Sequence, residues 1–225
     1  FVKSDYILGK DVYDFEKDFT KYCSIKYAVS CANGTDALYL SLKCLNLPKN
    51  SEVLVPALTW ISSVSAIINA GLKPVLVDVD MDNGLISLEK LKKKINSRTK
   101  VILPVHLYGN VVDILSIKKI INKKKIFIIE DAAQAHGAKD INDNHIGSFS
   151  DLSCFSFYPG KNLGCYGDGG MIITNNKKHF LKLRKLRNMG QEVKNIHTEI
   201  GFNSRLDTIQ AVLLSMKLKR LNYQN

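Results

Sequence analysis

Ile126-Phe127-Ile128-Ile129-Glu130-Asp131-Ala132-Ala133-Gln134-Ala135-His136-Gly137 opens as an apolar run, closes on two carboxylates and continues in small residues. A short run of this kind, bounded by a turn, reads as a core strand of an α/β sheet. Its Asp131 then falls at the carboxyl end of that strand, where α/β proteins bind their ligands. Working outward, runs at 27–31, 53–56, 74–79, 100–105, 152–157 and 170–174 also read as strands. Helical patterns at 34–45, 60–69, 87–95 and 111–122 alternate with them. Alternation of this kind predicts a sheet with crossover helices. A basic helix at 177–187 follows, then one at 207–221 with Ile209, Val212, Leu213 and Met216 at helical spacing. The Asp- and Asn-rich 138–146 reads as a turn or short hairpin.

The 225 residues, 45% of them hydrophobic, can bury a sizeable core, and one continuous domain accounts for nearly all of them. The chain enters at Phe1 without a helix start signal and stops directly after an amphipathic stretch, so an incomplete chain is expected. The expected division is a truncated segment at 1–12, a large domain at 13–221, and the start of a connection to a missing carboxy-terminal domain at 222–225. No apolar run approaches the roughly 18 to 20 residues that span a bilayer, and no signal peptide is visible. A soluble, cytoplasmic protein with no membrane partner is expected. Five cysteines without CxxC pairing argue against a disulfide framework or a structural zinc site. The net charge of +11 sits largely on predicted outer helix faces. With stacking aromatics and groove-entering motifs lacking, no nucleic-acid partner is expected.

Several chemistries fall away on spacing. The cluster Gly160-Lys161-Asn162-Leu163-Gly164 lacks the leading Gly and trailing Ser or Thr of a Walker A loop, and no GxGxxG is present. His106, His136 and His145 have no metal-ligand spacing, so no metal is expected. A GxSxG elbow is missing too.

Other positions read as a ligand site only in combination. Asn33-Gly34-Thr35-Asp36 lies between a strand and a helix, a place that suits either an ordinary cap or a phosphate. A buried Asp131 needs a hydrogen-bonding or cationic partner, since desolvating it unpaired is costly, and a protonated pyridine nitrogen would satisfy it. A cap or loop role is the alternative. Lys161 stands apart from the polylysine faces, among aromatic, Pro and Gly residues, where a carbonyl cofactor could capture it as a Schiff base. Trp60, the single tryptophan, could present its ring to a planar ligand or pack in the core.

Together, Gly34-Thr35-Asp36-Ala37-Leu38, Glu130-Asp131-Ala132-Ala133-Gln134-Ala135-His136-Gly137, Ser156-Phe157-Tyr158-Pro159-Gly160-Lys161-Asn162-Leu163-Gly164 and Gly167-Asp168-Gly169-Gly170 closely resemble the DegT/DnrJ/EryC1/StrS family of sugar aminotransferases. The likeness runs in order from about Tyr6 to Leu221. It implies the type I fold of pyridoxal-5′-phosphate (PLP) enzymes, whose large domain carries a mixed, mostly parallel sheet flanked by helices and whose small carboxy-terminal domain is missing here.

The resemblance also implies roles. Lys161 carries the cofactor and moves a proton; Asp131 pairs with the pyridinium nitrogen; Gln134 lies near the phenolic oxygen; Trp60 stacks on the ring. Gly34, Thr35 and Asp36, with the Ser156 hydroxyl, form a phosphate cup, to which Asn203 is added from the neighbouring subunit of a homodimer with shared sites. The implied reaction moves an amino group from an amino acid, glutamate, to a nucleotide-linked keto sugar, as in the making of amino sugars for surface polysaccharide or glycoconjugates. The Gly-Lys and Gly-Asp-Gly-Gly patterns favour 3-keto over 4-keto sugars. Sugar dehydratases of the same family carry histidine where Lys161 stands, which favours transamination. A PLP-binding regulatory or interaction protein without turnover is the non-catalytic alternative.

Overall fold

A computed structural model describes residues 5–225. The expected cut at Phe1 lies outside the described residues.

In chain order the elements are α1 (Lys10–Cys23), β1 (Tyr27–Cys31), α2 (Gly34–Cys44), β2 (Glu52–Pro56), α3 (Ile61–Asn69), β3 (Lys73–Val77), α4 (Leu88–Lys94), β4 (Thr99–Ile102), α5 (Ile114–Ile121) and β5 (Phe127–Asp131). Then come β6 (Leu152–Ser156), β7 (Gly170–Thr174), α6 (Lys177–Leu186), β8 (Gln191–Val193), β9 (Ile196–His197), α7 (Thr208–Leu218) and α8 (Leu221–Gln224).

Seven strands form one sheet in the order β1-β7-β6-β5-β4-β2-β3, and β7 alone runs against the others. The sheet is mixed and mostly parallel. Its inner strands are short apolar runs buried on both faces, as a parallel sheet between helix layers requires, whereas the edge strand β3 buries only Val77. Successive side chains alternate between the layers. Val29 and Ile172 pack with Leu38 and Leu42 of α2, whereas Ala28, Met171 and Ile173 pack with Val12, Phe15 and Phe19 of α1. A third cluster joins Leu54, Ile102 and Ile128 to Leu91 of α4 and Ile117 of α5.

Helix α1 was not among the expected elements. It starts at Gly9, whose missing side chain offers no cap, and it is rich in Lys and Asp. Its buried face of Val12, Phe15, Phe19 and Cys23 has the helical period, which is the signal that reveals it. Phe15 meets Phe157 at 5.4 Å and Phe19 meets Phe155 at 5.2 Å between ring centroids, both edge to face. The β8-β9 hairpin, short and mostly exposed, was also not foreseen. The expected 207–221 helix is split, with α7 ending at Leu218 and α8 beginning at Leu221. Residues 138–146 close as a short hairpin bridged between Lys139 and His145.

Candidate active site

Four chain segments meet at the carboxyl ends of β1, β5 and β6. Gly170 makes the meeting possible. It begins β7 between Cys31 of β1 and Ser156 of β6, and a Cβ there would lie 2.3 Å from the Asn33 carbonyl oxygen. Without a side chain it lets the turn after β1 fold over the end of β6. Gly34 then comes so close to Ser156 that an added Cβ would stand 2.5 Å from the serine Cβ.

At this turn the Asn33 side chain caps α2 by accepting from the Asp36 N–H at 2.8 Å. The N–H groups of Gly34 and Thr35 keep no partner among the described residues, so the amino end of α2 presents two free donors beside the Ser156 hydroxyl. The Asp36 N–H is spent on the cap, and its carboxylate accepts from Ser204 Oγ at 2.6 Å. Thr35 Oγ1 donates to Ser62 Oγ at 2.9 Å, which ties α2 to α3.

Asp131 ends β5 and is buried. Ser63 Oγ donates to its Oδ2 at 2.7 Å and the Ala133 N–H to its Oδ1 at 3.1 Å. Thr59 Oγ1 lies 2.8 Å from Ser63 Oγ, so a hydroxyl pair backs the carboxylate. No cationic side chain forms an ion pair with Asp131 among the described residues. Burial pushes its carboxyl above the usual carboxylate range, against the two hydrogen bonds and the charge of Lys161. A carboxylate so placed suits a ligand that brings a positive charge or an N–H.

Lys161 stands in the turn after β6, where its N–H donates to the Tyr158 carbonyl at 2.9 Å. Its ammonium is near enough for its charge to act on both Asp131 and His136. Trp60 stands at the position before α3, one turn ahead of Ser63, and is 71% exposed. Gln134 lies on the loop leaving β5, and its Oε1 accepts the Tyr108 N–H at 2.7 Å. The structure therefore brings Gly34, Thr35, Trp60, Asp131, Gln134, Ser156 and Lys161 to one end of the sheet. Asn203 is exposed and bridges Asn188 through its backbone; its side chain has no hydrogen-bond partner among the described residues.

Sequence reasoning missed the groups that support this arrangement. Ser63 and Thr59 were unremarkable hydroxyls until the sheet order set α3 over the end of β5. His106 is fully buried beside it. The Val112 N–H donates to His106 Nδ1 at 3.1 Å, so the ring proton resides on Nε2 and is donated to Glu130 Oε2 at 2.8 Å. Burial raises the Glu130 carboxyl, but the bonds from His106, Ser150 and Ser153 outweigh it and hold the group below its ordinary range. Adjacent carboxylates of one strand thus differ: Glu130 is saturated with donors and Asp131 is kept available. Among the described residues no three His, Cys, Asp or Glu side chains cluster as a metal would require.

The model of the DegT/DnrJ/EryC1/StrS aminotransferase family matches residues 2–225. The chain belongs to this family. Among curated relatives, the dTDP-3-amino-3,6-dideoxy-alpha-D-galactopyranose transaminase of Aneurinibacillus thermoaerophilus is 47% identical over 98% of this chain and 60% of its own length. The dTDP-3-amino-3,4,6-trideoxy-alpha-D-glucose transaminase of Streptomyces venezuelae is 41% identical over 98% of this chain and 58% of its own length. An X-ray structure of S. venezuelae DesV in complex with a ketimine intermediate superimposes with a TM-score of 0.95 at 41% identity, covering 99% of this chain and 60% of that one. The chain thus spans about 60% of the length of the relatives it matches. The family and the α/β fold expected from the four motifs are both borne out.

Proposed function

We propose that this chain supplies the cofactor-binding part of a PLP-dependent aminotransferase that moves an amino group from an amino acid onto a nucleotide-linked 3-keto sugar. The observation that carries the reading is the buried Asp131, without an ion-pair partner among the described residues, at the same sheet end as Lys161 and the Gly34 and Thr35 N–H groups that have no partner among those residues. That set fits PLP. Gly34, Thr35 and Ser156 would hold its phosphate, Asp131 would keep its ring nitrogen protonated, and Trp60 and Gln134 would contact its ring and its phenolic oxygen. When bound, the cofactor supplies an electron sink for charge developing on the substrate carbon. Lys161 would hold it through Nζ and, once the substrate amine has taken over that linkage and freed the atom, would carry a proton on it as a general base and acid. The 3-amino sugars in the names of the two transaminases support a 3-keto acceptor.

The finer reading follows from the same family. Glutamate is the donor, the product serves surface polysaccharide or glycoconjugates, and the enzyme works in the cytoplasm as a homodimer in which Asn203 completes the partner's phosphate cup. Residues 13–221 form the large domain, and 222–225 begin the connection to a second domain. Among the described residues no helix is long and apolar enough to cross a membrane.

The test is an assay of the full-length, PLP-loaded protein with glutamate and a panel of 3-keto and 4-keto nucleotide sugars. The reading expects 3-amino product from a 3-keto acceptor. Conversion of 4-keto sugars alone would overturn the regiochemistry. Bound PLP that glutamate fails to convert even in a single turnover would favour a regulatory protein.

A further inference from the structure

Tyr108 has an unusual conformation for its residue type. Its φ of 56° and ψ of 22° are left-handed, and Gly109 continues in that region with φ 85°. Left-handed backbone crowds the Cβ of an aromatic residue, so something must hold it there. The ring does not, since Tyr108 is 82% exposed. The flanks do. The His106 N–H donates to the Asp131 carbonyl at 3.0 Å, and the His106 ring is bonded to Glu130. Leu107 is buried, the Asn110 N–H donates to the Leu107 carbonyl at 3.0 Å, and the Asn110 side chain reaches the Asn83 carbonyl at 3.3 Å.

The consequence falls on Gln134. A backbone N–H can only donate, so the atom of the Gln134 amide facing Tyr108 at 2.7 Å is necessarily the carbonyl oxygen. The amide nitrogen therefore occupies the other branch, with no partner among the described residues. Gln134 stands three residues beyond Asp131 on the same loop, so it offers this site a donor and not an acceptor.

We propose that Tyr108 is a positioning residue for the cofactor pocket: its left-handed backbone aims an N–H at Gln134 and locks that amide as a hydrogen-bond donor toward an anionic oxygen of the bound ring. The proposal rests on the reading of this site as a PLP site. A donor at the phenolic oxygen stabilises its ionised form and loosens the proton on the neighbouring lysine-linked nitrogen. Losing the donor lets that nitrogen keep its proton to higher pH.

The experiment is a pH titration of the visible absorption band in the full-length, PLP-loaded protein, with borohydride labelling of Lys161 as a separate readout. Gln134→Leu is expected to raise the midpoint by about one pH unit. Tyr108→Val, β-branched and ill-suited to a left-handed backbone, is expected to raise it in the same direction. Tyr108→Gly and Tyr108→Asn, which accept that backbone and keep the N–H, are expected to retain the wild-type midpoint. If Tyr108→Val does not fold, Gln134→Glu decides, because it keeps an acceptor for Tyr108 but loses the donor and is expected to raise the midpoint. An unchanged midpoint in Gln134→Leu or Gln134→Glu, an unchanged midpoint in a folded Tyr108→Val, or a rise in Tyr108→Gly would each overturn the proposal. Failure of borohydride to label Lys161 in the unmodified protein would instead remove the PLP reading beneath it.

Discussion

At Asp131 a buried carboxylate bears the cost of desolvation with no ion-pair partner among the described residues. Its folded-state titration lies above the unfolded value, so the folded state binds the proton more tightly and stability falls as pH rises through that interval. Once the carboxyl is ionised the penalty is present in full. Asparagine removes it while keeping both contacts, accepting from Ala133 and donating to Ser63, whose proton turns to Thr59. Asp131→Asn is therefore expected to stabilise the cofactor-free protein by about 1 kcal/mol, roughly 2–4 °C in Tm, while largely removing transamination. Calorimetry and turnover together check this; a cofactor-free variant less stable than the parent would contradict it. His136 poses the opposite case. Its ring lies against Phe155 and Phe157, and among the described residues neither nitrogen makes a hydrogen bond of ordinary geometry. Burial pushes its pKa down to about 4, the nearby Lys161 charge adds to this, and the Ser156 backbone opposes it. The unfolded chain takes up the proton first, so His136 costs no stability above about pH 6.5 and progressively more toward pH 4, up to about 3 kcal/mol. Urea titrations at several pH values are expected to show that His136→Leu lacks this share of the acid destabilisation. Identical pH slopes in parent and variant would refute it.

Among the elements, the strands were legible within about three residues because each is a short apolar run closed by a polar turn. What escaped was set by long-range contact. α1 opens without a side-chain cap and shows its identity through the layer it covers. Inside that layer Glu16 of α1 pairs with Arg187 just beyond α6, and Arg187 also donates to the Ser30 carbonyl of β1 at 2.8 Å. The Ser30 N–H and hydroxyl both donate to Glu16 at 2.8 Å. This knot fastens the strand that leads into the Asn33–Gly34 turn. Nothing in the separate stretches around residues 16, 30 and 187 marks them as neighbours. Removing one member strands a buried charge, and Glu16→Ala is expected to cost about 3–5 kcal/mol in denaturant unfolding. A loss below 1 kcal/mol would mean that the pair is dispensable.

Across the whole molecule, the strand order explains why motifs scattered from residue 34 to residue 170 assemble at one sheet end. The reversed β7 places a glycine between β1 and β6, and the crossover through α3 sets hydroxyls over β5. The candidate residues were legible only in combination: a lysine in a Gly-flanked turn, an aspartate closing an apolar run and a capped glycine turn each have an ordinary reading alone, and gain meaning by standing together in the order of the four motifs. The supporting residues Ser63, Thr59, His106 and Glu130 were not, since their meaning depends on which strand lies beside which. The central claim is that this assembled end holds PLP through Lys161. The direct measurement is borohydride reduction of the full-length, PLP-loaded protein followed by peptide mass mapping. A phosphopyridoxyl label on Lys161, lost in Lys161→Ala, is the result this account predicts. A label on any other lysine, or an undiminished label in Lys161→Ala, would contradict it.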